Sequence, residues 1–224
     1  MSRSLFNLLP VLLCALSPAA QANAQANLLT NGSFELGPSL GGSTFSNVIG
    51  GSTAITGWTV TGSTIDYIGS LWQHSNGTRS IDLDGSTFPY TNGGVAQSFA
   101  TTPGTVYAVS FDLAGNPNNF PTFKPMRVSA AGQSQDFTFD ITGRSYADMG
   151  WLARSWTFNA VAATTTLEFR SLTQEAQQIG WGAALDNVSV TAVPEPGTWA
   201  LMLGGMLAVA GMARRRNAGR MADT

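Results

Sequence analysis

Two aspartates separated by one residue, Asp82-Leu83-Asp84, have the spacing for acid–base chemistry. On an extended strand they share one face about 7 Å apart, inside the roughly 5 to 10 Å that glycoside hydrolysis needs between its two carboxyl groups. The same residues also read as the polar end of a strand running into a turn over Ser86 to Asn92, and Gly85 is not followed by the ligand series and glutamate of an EF-hand. His74 is the only histidine. A serine triad would have to use it with Ser70, Ser75 or Ser80, yet no G-x-S-x-G elbow occurs, and one histidine without cysteines cannot build a usual zinc site. It reads as a loop histidine. Aromatic rings remain: Trp58 and Trp156 sit in patterns expected of a core, whereas Trp72, Tyr90 and Trp151 lie in polar or glycine-containing loops. Those three are the candidates for an exposed platform on which sugar rings stack.

The elements that must position these groups belong to one domain, residues 27–192. It contains no cysteine, so a disulfide framework, a thiolate metal site and a cysteine nucleophile are all excluded. Eleven acidic residues face six basic ones, and Lys124 is the only lysine, which argues against nucleic acid as a partner. The absence of a basic surface also means that an acidic polysaccharide would have to be held through calcium or hydrogen bonds. Short alternating runs separated by turn residues, with no helical periodicity held for three turns, predict an all-β sandwich. Strands are expected at Val95–Ala100, Val106–Leu113, Met126–Ala130, Asp136–Asp140, Ser155–Ala160, Thr165–Ser171 and Ala184–Thr191. Val106–Leu113 lacks clean alternation and is expected to be covered on both faces, while Leu167 and Phe169 should point inward from a strand with one wet face. Pro103-Gly104 and Ala131-Gly132 mark turns, and Gly115-Asn116-Pro117-Asn118-Asn119 opens a polar loop. The longest stretch without strong strand signal, Gly37 to Gly57, is where a sandwich of this kind would carry a ligand loop.

Both ends of the chain are addresses rather than parts of the fold. Residues 1–26 hold Arg3, an apolar core from Leu5 to Leu16, and overlapping A-x-A sites, the pattern of a secretory signal peptide. Cys14 falls within this segment, after a leucine too bulky for lipoprotein processing. Residues 193–220 hold Pro194-Glu195-Pro196, an apolar run from Thr198 to Ala213 and the cluster Arg214-Arg215-Arg216. The prolines keep the first part extended, the run is a transmembrane helix shorter than the ~20 residues that cross comfortably, and the arginines stay on the cytoplasmic side. This arrangement resembles the PEP-CTERM sorting signal of Gram-negative bacteria. The resemblance implies passage through the inner membrane, transient anchoring there by the C-terminal helix, processing by an exosortase, and delivery to the cell surface or extracellular matrix.

A second resemblance spans the domain. Asn27-Leu28-Leu29-Thr30-Asn31-Gly32-Ser33-Phe34-Glu35, Ser80-Ile81-Asp82-Leu83-Asp84-Gly85, Val95-Ala96-Gln97-Ser98-Phe99, Val109 through Pro117, Ser134-Gln135-Asp136-Phe137 and Leu185-Asp186-Asn187-Val188-Ser189-Val190 resemble the choice-of-anchor C family. They are similar, more distantly, to galactose-binding-like jelly rolls. The resemblance implies a jelly-roll sandwich whose first and last strands lie side by side. Glu35 and Asp186 would then come within reach of one ion, and a structural calcium is the natural guess for two carboxylates supplemented by carbonyls. The expectation is a non-catalytic surface protein that binds polysaccharide or another envelope component. The alternatives are a purely structural surface protein and a secreted glycan hydrolase using Asp82 and Asp84.

Overall fold

The computed structural model describes residues 25–87, 92–118, 120–173, 180–194 and 202–212. Two antiparallel sheets form an all-β sandwich. Sheet A runs β1 (Phe45–Ile49), β3 (Thr64–Ile68), β4 (Ser80–Asp82), β11 (Ala183–Ala192), β6 (Val106–Gly115) and β9 (Leu152–Asn159) in spatial order. Sheet B runs β2 (Thr59–Thr61), β5 (Gly94–Ala100), β10 (Thr164–Ser171), β7 (Phe123–Ala130) and β8 (Gln133–Asp140). The seven strands read from the sequence are all present. The four missed, β1 to β4, are short and carry serine, asparagine and aspartate among their apolar residues, which hides their alternation.

The core lies between the sheets. Phe111 meets Phe137 and Phe169 edge-on at 5.2 and 5.1 Å, and Tyr107 stacks on Phe158 at 5.5 Å. β10 alternates as expected, with Leu167 and Phe169 buried and Thr166 and Arg170 exposed. β6 departs from the expectation of double cover. Tyr107, Val109, Phe111 and Leu113 are buried while Val106 and Ser110 are exposed, so most of the strand is wet on one face. Small Ala108 and Ser110 had blurred a real period of two. The strand is central only laterally, paired with β11 on one side and β9 on the other. Ala131 and Gly132, both with positive φ (50° and 74°), close the β7–β8 hairpin where the primed turn demands left-handed backbone.

Residues 27–34 run beside β11 without forming a named strand. Leu28 N–H donates to Val190 O, Val188 N–H to Gly32 O, and the Asn27 side chain bonds Val188 O and Val190 N. A Cβ on Gly32 would strike Val188 O, so this close approach requires glycine. The segment delivers Phe34 into the core against Trp58, with ring centroids 5.1 Å apart, and the Trp58 indole N–H donates to Asn31 O at 3.0 Å. Trp58 is 1% exposed. Trp58→Ala is therefore expected to cost about 3–5 kcal/mol, read as a lowered urea midpoint at unchanged m-value.

Residues 1–24, most of the signal-peptide segment, lie outside the described residues, as do Glu195, Pro196, residues 213–224 and Tyr90. Helix α1 spans residues 202–212 with its side chains exposed. Among the described residues no helix is long and apolar enough to cross a membrane.

Candidate functional site

The register of sheet A sorts its residues into two faces. Tyr67, Ile81, Leu185 and Leu113 form one cross-strand row in the core, so the adjacent row, Asp66, Asp82, Ala184 and Ala114, faces outward. Asp112 and Asp186 are likewise partners on that outward face. Carboxylates thus sit directly opposite each other twice, Asp66 against Asp82 and Asp112 against Asp186, an arrangement that destabilises a sheet unless other groups answer the charge.

Donors from loops and from neighbouring strands answer it. Asp66 accepts from Asn47 Nδ2 at 2.9 Å and from the N–H and hydroxyl of Ser86. Asp82 accepts from Gly182 N–H at 2.8 Å, Asp84 N–H at 3.0 Å and Asn116 Nδ2 at 2.9 Å. Asp186 accepts from the N–H groups of Ser75, Asn76 and Asn187, at a β-bulge where Asn187 takes a φ of 50°. Asp112 accepts from the Ser75 hydroxyl and from Asn187 Nδ2. Four aspartates therefore pin loops over the outer face of sheet A.

Glu35 acts in the same way on the β3–β4 loop. It accepts from Thr78 N–H at 2.8 Å, Arg79 N–H at 2.9 Å and the Thr78 hydroxyl at 2.8 Å. The structure thus brings Glu35 and Asp186 to one loop, yet each presents its oxygens to hydrogen-bond donors, which repel a cation. No group of three or more His, Cys, Asp or Glu side chains able to hold a metal occurs among the described residues. As arranged, the pair does not fit a calcium ion.

Burial governs the acidities. It pushes Asp66 up against the pull of Asn47 and Ser86, and pushes Asp82 well above the usual carboxylate range with help from the charges of Asp66 and Asp84. It raises Asp186 to about 7 although three N–H donors oppose it. Asp84 rises to about 6, again chiefly through burial, while the nearby hydroxyls of Ser171 and Thr173 and the Lys124 ammonium hold it down. Among the described residues neither Asp84 oxygen has a partner of full hydrogen-bond geometry. Lys124, itself fully buried, is lowered to about 8 and donates to Trp181 O at 2.8 Å.

Asp82 and Asp84 do not form a strand-face pair. β4 ends at Asp82, whose side chain takes the Asp84 N–H and curls the chain into an Asx-type turn. Both are buried, and neither lines any of the open clefts described below.

The exposed position expected of Trp72 is also corrected. Trp72 is 4% exposed, its indole N–H donates to Ser80 Oγ at 2.8 Å, and its ring lies 6.4 Å from that of Tyr146. Its polar neighbours had suggested exposure, but they are spent on holding the loop. Gln73 joins the β3–β4 loop to the β8–β9 loop through Tyr146 O, Met149 N and the Trp151 indole N–H. Trp151 is accordingly half-buried. His74 bonds Ser80 Oγ at 3.0 Å and Gly69 O, and burial lowers its pKa. It is a strut of the loop, as its lack of catalytic companions suggested.

Open space lies beside this rigid cover. A cleft of about 380 Å³ is lined by Ser39 to Ser43, Gly69, Ser70 and Arg79, using the ligand loop expected within Gly37–Gly57. Clefts of about 310 and 220 Å³ flank Pro117, the first toward Phe120 and Ile141, the second toward Arg144 and Tyr146. A groove of about 410 Å³ crosses sheet B near Arg127, Ser134 and Glu168, where Arg127 is already paired with Asp136. Sequence reasoning passed over Arg79, Asp66 and Lys124. Lys124 was legible in principle, since it shares strand parity with the inward Met126 and Val128.

Comparison with known proteins places this geometry. Residues 27–191 match the family described as protein of unknown function (DUF642), and residues 192–217 match the PEP-CTERM protein-sorting motif. Halomucin of Haloquadratum walsbyi is 30% identical over 176 residues, which cover 77% of this chain but only 2% of that protein. Among solved structures, the native family 35 carbohydrate binding module from Clostridium thermocellum has a TM-score of 0.44 at 14% identity, over 66% of this chain and 99% of that one. The N-terminal CBM22-1-CBM22-2 tandem domain from Paenibacillus barcinonensis Xyn10C has 0.45 at 17%, over 80% and 49%. The chain belongs to the DUF642 family and carries a PEP-CTERM sorting motif directly after its last strand.

Proposed function

We propose that this protein is exported, processed by an exosortase, and displayed at the surface or in the matrix of a Gram-negative cell, where its sandwich binds polysaccharide without cleaving it. The observation that carries the reading is the junction at Ala192, where β11 ends and the sorting motif begins, so that a folded binding module is followed at once by its address. The jelly-roll and choice-of-anchor C likenesses belong to the same reading, as does transient membrane anchoring by the C-terminal run. Burial of Asp82 and Asp84 away from the open clefts supports a non-catalytic role over the hydrolase alternative. One observation favours the structural alternative: Trp72 is buried, which removes one of the three rings expected to stack on sugar.

The sorting half is tested by replacing Pro194-Glu195-Pro196 with alanines. The wild-type chain is expected to lose its C-terminal segment in cells, and the variant to stay membrane-bound and unprocessed, as read by intact mass and fractionation. Identical masses would end that part of the proposal. The binding half is tested by affinity electrophoresis against a polysaccharide panel, where retardation by no polymer would leave the structural reading standing.

A further inference from the structure

We infer that the cleft between the Ser39–Ser43 loop and Arg79 is a subsite for the carboxylate of an acidic sugar in an extracellular polysaccharide. This rests on the glycan-binding reading above and names the chemistry of its ligand.

Among the described residues Arg79 is the only charged one lining the cleft. Its guanidinium forms no ion pair among the described residues, while its Nη1 is held by Thr78 O at 2.7 Å. Nη1 also reaches Thr78 Oγ1 at 3.4 Å, which leaves the Nε and Nη2 hydrogens without a hydrogen-bond partner among the described residues, and that edge of the planar fork matches a carboxylate with two parallel hydrogen bonds. The fork is also well positioned. Its backbone N–H is fixed by Glu35, and the guanidinium carbon lies 5.9 Å from the centre of the Tyr67 ring, within cation–π range. No Glu35 oxygen lies within ion-pair distance of the fork; they accept from the N–H groups of Thr78 and Arg79 and from the Thr78 hydroxyl.

The remaining lining fits a sugar ring. Ser39, Ser43 and Ser70 contribute hydroxyls that can both donate and accept, as sugar hydroxyls require. Gly41 and Gly42 adopt positive φ (56° and 91°), and a Cβ on either would meet nothing, so the loop leaves space open before the fork. The volume of about 380 Å³ falls in the range of small-ligand sites. A single cation with neutral hydroxyls suits one monovalent carboxylate rather than a dianionic phosphate. The domain's acidic surplus does not oppose this at short range, because screening limits distant surface charges to about a Debye length.

The test uses the full chain purified in mild detergent, with polygalacturonate and its fully methyl-esterified form as matched charged and neutral polymers. Wild-type protein is expected to bind polygalacturonate, and Arg79→Gln to weaken that binding about tenfold or more with an unchanged thermal midpoint. Arg79→Lys should recover part of the loss, because the charge stays while the fork is gone. Equal binding of the esterified polymer, or no effect of Arg79→Gln, would overturn the inference while leaving the glycan reading intact. Competition by inorganic sulfate as strong as by free galacturonate would also overturn it, by showing a general anion site. Absence of binding to polygalacturonate ends the inference, and a parallel panel of neutral polysaccharides then decides the broader reading separately.

Discussion

Replacing Lys124 with methionine is expected to cost about 1 kcal/mol more stability near neutral pH than at about pH 5. Lys124 is fully buried, and its ammonium is attracted by the charges of Asp82 and Asp84. Methionine fills similar space but removes the charge, leaving the buried Asp84 carboxylate to the weaker help of the Ser171 and Thr173 hydroxyls. The pH dependence follows from the sign of the Asp84 shift. Its carboxyl sits at about 6 in the fold against 3.8 as the ordinary value, so the folded state binds the proton more tightly. Folding therefore gains stability as pH falls through about 6 toward 3.8 and loses it in the opposite direction. In Lys124→Met the opposing charge is gone, so that recovery should begin at higher pH and be larger. Asp186, also raised, contributes to the wild-type slope with the same sign, so the difference between the two proteins isolates Lys124. Urea denaturation at the two pH values reads it. Equal losses at both would mean that Lys124 acts only through packing and its bond to Trp181 O.

The second large effect is expected at Asp186. Above about pH 7, where the Asp186 carboxylate is ionised, Asp186→Asn turns an acceptor-only group into one that presents N–H hydrogens toward N–H donors at Ser75, Asn76 or Asn187. Leaving such groups unpaired costs about 1–3 kcal/mol each, and a total on the order of 2–4 kcal/mol is expected. The loss should be local before it is global. Amide exchange at Ser75 and Asn76 should accelerate strongly, while the amides of Val109 and Phe111 in the core of β6 should follow only the change in global stability. Unchanged exchange at Ser75 and Asn76 would show that the loop is held by Gln73, His74 and Glu35 without help from the aspartate. Because the β3–β4 loop also carries Arg79, a loosened loop should weaken any ligand bound beside it.

These two sites show where sequence reasoning succeeds and where it stops. Strong alternation placed β10 correctly, and turn chemistry at Ala131-Gly132 placed the β7–β8 hairpin, because both are local properties. Small residues in β6 obscured a period of two that packing then enforced. The parity of Lys124 with Met126 and Val128 pointed inward, but a lysine at such a position gives no sign of the acids that answer it across the other sheet. Trp72 was misread for a related reason. Polar neighbours look the same in sequence whether they face water or, like Gln73 and His74, bond to a second loop.

The sequence by itself determined the class of fold and the sorting motif, since periodicity, turn residues and a three-part tail are written in contiguous residues. Only the tertiary structure decided what the carboxylates do. Asp66 meets Asp82 and Asp112 meets Asp186 across neighbouring strands of the sheet, and each finds its donors on loops and strands whose position depends on the whole sandwich. A carboxylate's role is set by what reaches it. Here N–H groups and hydroxyls reach Glu35 and Asp186, and the guanidinium of Arg79 is left facing open space.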